Sequence, residues 1–166
     1  MTGSDCVLCA GKDMDEALLV TEVWSDENWR LTTTTVGEIA GYSYLSTRRH
    51  IPDISELDGE ERESLGEVVT RTCSAIKRAT GADHIYVYVL GDGVDHLHLH
   101  LAPCRGSASP LVDDPIKGAR HRVILETGEE VWVSDRYPLE PRKIMNAAIA
   151  DIREHLAGDD SPTAQT

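Results

Sequence analysis

Three histidines alternate with leucines in residues 95–102 and carry the clearest chemical signal of the sequence. Successive side chains of a β-strand point to opposite faces, so His96, His98 and His100 are predicted to share one face and the leucines the other. The histidine face cannot be an ordinary core layer, because each imidazole brings ring nitrogens that need partners. An imidazole can act as a nucleophile, carry a proton near neutral pH or bind a metal ion, so this face is predicted to be a reaction site.

A Cys-x-x-Cys pair, Cys6 and Cys9, lies near the N-terminus. A redox pair, two inert buried thiols and half of a tetrahedral zinc site are all compatible with the spacing. The strand and helix that frame a thioredoxin-type pair are not predicted around it, and a reducing compartment disfavours a disulfide. Zinc needs two more Cys or His ligands. Cys104, just beyond the histidine strand, is an alternative zinc ligand. Cys73 fits the apolar face of a predicted helix and is expected to lie in the core.

The elements that position these residues follow the order strands, helix, strands, helix. Strands are predicted over 17–24, 29–36, 41–47, 84–90 and 96–102, a hairpin over 122–126 and 130–134, and helices over 58–80 and 141–156. In the first helix Asp58 is the predicted N-cap, Glu61 completes a capping box and Gly81 ends the helix. Hairpins dominate and no βαβ series occurs, so the class is α+β with an antiparallel sheet.

Composition limits the classes of partner. The 166 residues carry 16 Lys and Arg against 29 Asp and Glu, a net charge of −13. An acidic surface repels phosphate backbones, so we expect no nucleic-acid partner, although a small phosphorylated ligand remains compatible. No segment approaches the roughly 20 apolar residues of a membrane span, and no signal peptide is recognised, so a cytoplasmic protein with reduced thiols is predicted. We expect one domain over residues 1–157 and a flexible tail over 158–166.

The motif HLHLHLA resembles the signature of the histidine triad (HIT) superfamily, and the segment GYSYLSTRRHI at residues 41–51 resembles the strand and basic segment that precede the long helix in that family. The resemblance covers about residues 6–104. It implies a HIT-like fold, with a sheet of about five antiparallel strands, a small hairpin, one long helix and a C-terminal helix. It also implies a homodimer that hydrolyses or transfers nucleotides or related phosphate compounds.

The same resemblance implies roles for the histidines. The middle histidine of the motif attacks the α-phosphorus in this family and forms a covalent nucleotidyl-imidazole, which makes His98 the expected nucleophile. His100 is then the candidate that binds phosphate oxygens or the leaving group. Backbone amides of the turn at residues 91–93 are further candidate phosphate donors.

Zinc is the cofactor that the resemblance implies. Some bacterial members of the superfamily, and its galactose-1-phosphate uridylyltransferase branch, carry zinc on a similar Cys-x-x-Cys and two histidines. Carried over here, the ligands are Cys6, Cys9, His50 and His96. The role of one such zinc ion per chain would be structural, and it would take His96 away from proton transfer. No organic cofactor is expected.

Several residues depart from the nucleotide-binding branch of the superfamily. Tyr42 stands where many relatives have a histidine and is interpreted as a half-buried strand tyrosine. Thr34 falls near an aspartate that holds the ribose, and Asp92 and Gly93 fall near a glutamine and a serine that bind phosphate. These substitutions leave open whether the substrate contains a nucleoside.

Two other classes of function stay open. In the first, the His-x-His pair holds a catalytic metal ion together with His121, and the protein is a metal-dependent enzyme. In the second, the protein is a nucleotide-binding module without turnover. The location of the metal separates the first class from a structural zinc site, and tight binding without hydrolysis identifies the second.

Overall fold

The computed structural model describes residues 6–89, 93–104, 120–134 and 138–159, and its class is α+β as predicted. The strands are β1 (Val20–Ser25), β2 (Trp29–Thr34), β3 (Ser43–Thr47), β4 (His84–Val89), β5 (His98–Cys104), β6 (Arg120–Ile124) and β7 (Glu130–Ser134). The helices are α1 (Gly59–Thr80) and α2 (Arg142–Asp159), with short 3₁₀ turns at Gly11–Met14 and Ile54–Glu56. β1 to β5 form one antiparallel sheet in the order β1-β2-β3-β5-β4, and β6 and β7 form the small hairpin.

The leucine face of β5 is the core side of the sheet, as the alternation predicts. Leu97, Leu99 and Leu101 are at most 4% exposed. They pack with buried residues of β2, β3 and both helices in one cluster, which includes Leu31, Leu45, Val68, Ala75, Ile76, Ile152 and Leu156. Burial of this cluster supplies the main driving force for folding and leaves the opposite face of the sheet free for polar chemistry.

Helix α1 begins and ends at the predicted residues. The Asp58 carboxylate accepts a hydrogen bond from the Gly59 amide at 2.7 Å, and Gly81 ends the helix in the left-handed conformation at φ 64°. The capping box assigned to Glu61 is replaced by a different contact. Its buried carboxylate accepts hydrogen bonds from Arg49 at 2.6 and 3.1 Å, which ties the helix to the basic segment after β3.

The ends of several elements differ from the predictions. β1 starts at Val20 because Leu18 donates to the Met14 carbonyl in a turn and Leu19 has a φ of 53°, which is incompatible with a strand. β5 starts at His98 rather than His96, since the His96 amide donates to the Val94 carbonyl instead of pairing across the sheet. Residues 91 and 92 of the predicted turn at 91–93, the segment 105–119 and the predicted tail from residue 160 onward lie outside the described residues. Among the described residues, neither helix is a candidate membrane span.

Candidate functional site

The face of the sheet opposite the helices carries polar side chains in two cross-strand rows. The first row consists of Arg30, Ser46 and His98, and the second of Thr32, Tyr44, His100 and Tyr88. Each row crosses neighbouring strands at directly opposed positions, so its side chains are close enough to interact. The pairing of β3 and β4 with β5 therefore surrounds both strand histidines with aromatic and hydroxyl side chains.

His98 is held in a single tautomer by the backbone. Its Nδ1 lies 2.7 Å from the carbonyl oxygen of His96, and a carbonyl oxygen can only accept a hydrogen bond. Nδ1 therefore carries the hydrogen of the neutral ring, and Nε2 carries the lone pair. This is the arrangement that a nucleophilic imidazole needs, because the orientation and the tautomer are both set before a substrate binds.

His100 lies in an aromatic environment beside His98. Its ring stacks on Tyr88 with centroids 4.8 Å apart, meets Tyr44 edge-on at 5.1 Å, and lies 5.1 Å from the His98 ring. Burial, and then the neighbouring His98, lower the pKa of His100 to about 4, so the ring is neutral at physiological pH. Its Nδ1 is hydrogen-bonded to the Tyr42 hydroxyl at 2.6 Å.

Cys6, Cys9, His50 and His96 come together in one cluster, whose candidate ligand atoms all lie within 4.8 Å of one another. Cys6 Sγ lies 3.3 Å from His96 Nδ1, and Cys9 Sγ lies 3.3 Å from His50 Nδ1 and 3.4 Å from His96 Nδ1. In an ideal tetrahedral zinc site, bond lengths of about 2.3 Å to sulfur and about 2.05 Å to nitrogen separate the two atoms by about 3.6 Å. The donor set and its spacing thus fit zinc with shifts of a few tenths of an ångström.

The surroundings of the cluster also suit a metal ion. His96 Nε2 donates to the Thr47 carbonyl at 2.8 Å, which leaves the Nδ1 lone pair directed at the two sulfurs. Desolvation, and then the hydrogen bond and charge of Cys6, raise the pKa of Cys9 to about 11. Two adjacent thiolates are therefore unfavourable by themselves, and a bound divalent cation would offset their repulsion.

A buried ion cluster lies in the first polar row. Arg30, which is 6% exposed, donates to Asp15 at 2.6 and 2.7 Å and to Glu22 at 2.7 Å. Burial alone would raise the pKa of Glu22, but hydrogen bonds from Arg30 and Ser25 lower it below its usual range. Because Asp15 precedes β1, this cluster fastens the N-terminal segment across the histidine face of the sheet.

A polar pocket of about 400 Å³ opens between the N-terminal segment and the sheet. Its lining residues are Leu8, Cys9, Gly11, Lys12, Glu22, Ser25, Arg30, Ser46, Thr47 and Arg48. Ser46 is the cross-strand partner of His98, so the pocket lies next to the position of His98, and Cys9 of the cysteine cluster is among its lining residues.

Other candidates from the sequence do not join these groups. Within the described ranges, the cysteine–histidine cluster is the one group of three or more potential metal ligands, and it contains neither His100 nor His121. Cys104 is buried at the far end of β5, and Cys73 packs against the core from α1. The candidate phosphate-binding amides of residues 91 and 92 fall outside the described residues.

Tyr42 and Tyr88 both contact His100, and the sequence interpretation predicts neither contact. Tyr42 was expected to be a strand tyrosine without a chemical role, yet its hydroxyl contacts His100 and also the hydroxyl of Tyr88. The alternation of tyrosines in β4 was a usable signal, because it places Tyr86 and Tyr88 on one face, but only the register between β4 and β5 identifies Tyr88 as the neighbour of His100.

Comparison with known proteins gives the same assignment for the sequence and for the fold. Residues 26–107 match the family described as the HIT domain. No curated protein sequence matches the chain. A Zn-bound histidine triad family protein from Mycobacterium smegmatis is 19% identical, with 96% of this chain and 98% of that chain covered and a TM-score of 0.62.

Two further solved structures share the fold. A hypothetical histidine triad nucleotide-binding protein from Sulfolobus tokodaii is 18% identical, with 92% of this chain and 93% of that chain covered and a TM-score of 0.62. A HIT-like protein involved in cell-cycle regulation from Bartonella henselae, with an unknown ligand, is 15% identical over 92% and 96% of the two chains, with a TM-score of 0.61. At these identities the likeness concerns the fold.

Proposed function

The chain belongs to the histidine triad (HIT) family, and on that premise we propose that it hydrolyses or transfers a nucleotide or related phosphate compound through a covalent adduct on His98. The observation that carries this proposal is the tautomer of His98. Its Nδ1 donates to the His96 carbonyl, and its Nε2 therefore presents a lone pair on the polar face of the sheet.

The proposed reaction has two displacements at phosphorus. In the first, His98 Nε2 attacks, a phosphorus–nitrogen bond forms, and the bond to the leaving group breaks. The leaving group keeps the electron pair and takes a proton from solvent. The ring becomes cationic, and the hydrogen bond from Nδ1 to the His96 carbonyl stabilises that charge.

In the second displacement water or another acceptor attacks phosphorus and gives up a proton, and the electrons of the phosphorus–nitrogen bond return to Nε2. A neutral ring at His98 is regenerated. Water as the acceptor makes the protein a hydrolase, whereas any other acceptor makes it a transferase. His100, 5.1 Å from His98 between ring centroids, is the second proposed catalytic residue and contacts the phosphoryl oxygens.

We propose that Cys6, Cys9, His50 and His96 hold one zinc ion per chain. The Zn-bound relative from Mycobacterium smegmatis and the spacing of the cluster support this assignment. When bound, the ion supplies a structural link between the N-terminal segment and the residue that precedes β5, and it takes no part in either displacement. His96 contributes to catalysis through its backbone carbonyl, which orients His98.

A homodimer of single-domain chains is the proposed assembly. The sequence predicts the domain over residues 1–157 and a tail over 158–166, and α2 extends the domain to Asp159. β4 is at the edge of the sheet, and its residues Tyr86, Val87 and Val89 are 39–43% exposed. An apolar edge strand of this kind favours pairing with a second chain. Sedimentation equilibrium at micromolar concentration tests the proposal, because a mass near 18 kDa contradicts it.

A substrate panel tests the proposed function. Nucleoside phosphoramidates, adenylylated compounds, dinucleoside polyphosphates and sugar nucleotides are incubated with wild type and with His98→Ala. Turnover of at least one class by wild type and its loss in the variant support the proposal. Tight binding of adenosine monophosphate without turnover of any class indicates a binding module, and activity retained in His98→Ala contradicts the nucleophile.

A further inference from the structure

The hydroxyl of Tyr42 joins two strands at the reaction face. It lies within hydrogen-bonding distance of the Tyr88 hydroxyl on β4, and it lies 2.6 Å from Nδ1 of His100 on β5. Packing fixes all three rings, since Tyr88 stacks on His100 at an interplanar angle of 16° and Tyr42 meets His100 edge-on at 88°. Two phenol groups and one imidazole therefore form a short chain with a defined order.

Relative acidity decides the direction of the hydrogen bonds in this chain. A phenol O–H is a much stronger acid than the N–H of a neutral imidazole, and an imidazole nitrogen is a stronger base than a phenol oxygen. Tyr42 therefore donates its single proton to His100 Nδ1. The Tyr42 oxygen then accepts from the Tyr88 hydroxyl, which leaves each hydroxyl with one donated proton. His100 is neutral, so its hydrogen is on Nε2.

His100 Nε2 is buried and has no hydrogen-bond partner among the residues that the structure describes. A buried N–H without an acceptor is unfavourable, so its presence on a reaction face indicates a group supplied from outside. The oxygens of a phosphoryl group are acceptors only, which matches this donor. His98 has the opposite tautomer, with its lone pair on Nε2, so the two neighbouring histidines present one nucleophile and one donor.

We propose that Tyr42, supported by Tyr88, is a positioning residue that holds His100 in the Nε2–H tautomer, so that this nitrogen donates a hydrogen bond to a phosphoryl oxygen of the substrate. The role in substrate binding rests on the proposed function, whereas the tautomer follows from the three contacts alone. A tyrosine needed only for packing would be replaceable by phenylalanine, because the ring contacts would be unchanged.

The test is nitrogen-15 NMR of histidine-labelled protein, in which long-range couplings identify the protonated nitrogen of each ring. In wild type, His100 is expected as the Nε2–H tautomer and His98 as the Nδ1–H tautomer. Tyr42→Phe removes the donor, so His100 should shift toward a mixture of tautomers. The matched control is Tyr44→Phe, since in the described part of the chain no hydrogen bond joins the Tyr44 hydroxyl to His100, and its ring contact with His100 is retained.

The overturning results are a wild-type His100 with hydrogen on Nδ1, or a tautomer that is the same in wild type and Tyr42→Phe. If Tyr42→Phe does not fold, the wild-type spectrum decides the question, because hydrogen on Nδ1 of His100 overturns the proposal. With a substrate from the panel, Tyr42→Phe should lower kcat about tenfold with KM within about twofold, as expected when one hydrogen bond that strengthens in the transition state is lost. Equal kcat values in wild type and variant contradict the catalytic role.

The NMR measurement fails independently of the proposed function, whereas the kcat comparison requires a substrate that wild type turns over. The NMR spectra need no substrate, so they judge the tyrosine contacts even if no member of the panel is turned over. Failure of the proposed function is seen instead in wild type and His98→Ala, as absent turnover or as activity that survives the substitution.

Discussion

Replacement of Cys6 by serine is expected to remove the metal and to destabilise the fold together. Cys6 is 6% exposed, and its sulfur lies 3.3 Å from Nδ1 of His96, a residue 90 positions later in the chain. A ligand that binds only the folded state adds about 4 kcal/mol when its free concentration is about a thousand times Kd. For a chain of this length 1 kcal/mol corresponds to about 2–4 °C in Tm, so loss of the zinc ion should lower Tm by about 8–16 °C.

The assay combines the zinc content per chain with thermal unfolding followed by circular dichroism, each with and without chelator. Wild type should carry one zinc ion and lose stability when the chelator is added, whereas Cys6→Ser should lack the ion and be insensitive to the chelator. Cys73→Ala is the control, because it removes a thiol of α1 that packs against the core and lies outside the cluster. A wild-type protein without metal, whose Tm is the same with and without chelator, contradicts a zinc ion that stabilises the fold.

Three further predictions concern stability. His98→Ala should lower the free energy of unfolding by less than about 1–2 kcal/mol. Leu99→Ala removes a side chain of the core face that is 4% exposed, so it should lower that free energy by about 2–5 kcal/mol. Similar urea midpoints for the two variants would contradict the assignment of faces. The lowered pKa of Glu22 stabilises the fold above the unfolded-state pKa, and this contribution is lost as the pH falls. Glu22→Gln should therefore flatten the dependence of the unfolding free energy on pH below about 4.5, and parallel curves would exclude this. The pKa of His100, about 4 in the folded protein, lies below its value in the unfolded chain. The free energy of unfolding should therefore fall as the pH drops from about 6.5 to 4. His100→Asn should lose less unfolding free energy over that interval when both proteins are unfolded at a series of pH values.

The strands and the two faces of β5 could be predicted from local pattern. Strict alternation fixes which residues of a strand share a face, and the leucines at 97, 99 and 101 are buried as expected. The start of α1 was also local, because an N-cap depends on residues within one turn of the helix. The start of β1 could not be predicted locally, because nothing in the run of apolar residues around Leu19 indicates its positive φ.

The surroundings of the reaction site depended on long-range register. Tyr88 faces His100 only because β4 and β5 pair in one register, and a shift of one residue would turn Tyr88 to the other face. Long-range contact also decides the surroundings of Arg30, which is buried where the N-terminal segment brings Asp15 against it. The four residues of the cysteine–histidine cluster span 90 positions, so only the family resemblance grouped them before the fold was known.

The covalent mechanism is tested most directly by trapping the adduct on His98. Wild type is mixed with the best substrate of the panel, denatured in base during turnover, digested and analysed by mass spectrometry, because a phosphorus–nitrogen bond to imidazole is labile in acid. A nucleotidyl or phosphoryl group is expected on the peptide that contains His98 in wild type, and no such group in His98→Ala. Normal turnover by wild type without any adduct would contradict the covalent mechanism and would favour direct attack by water or metal-bound hydroxide.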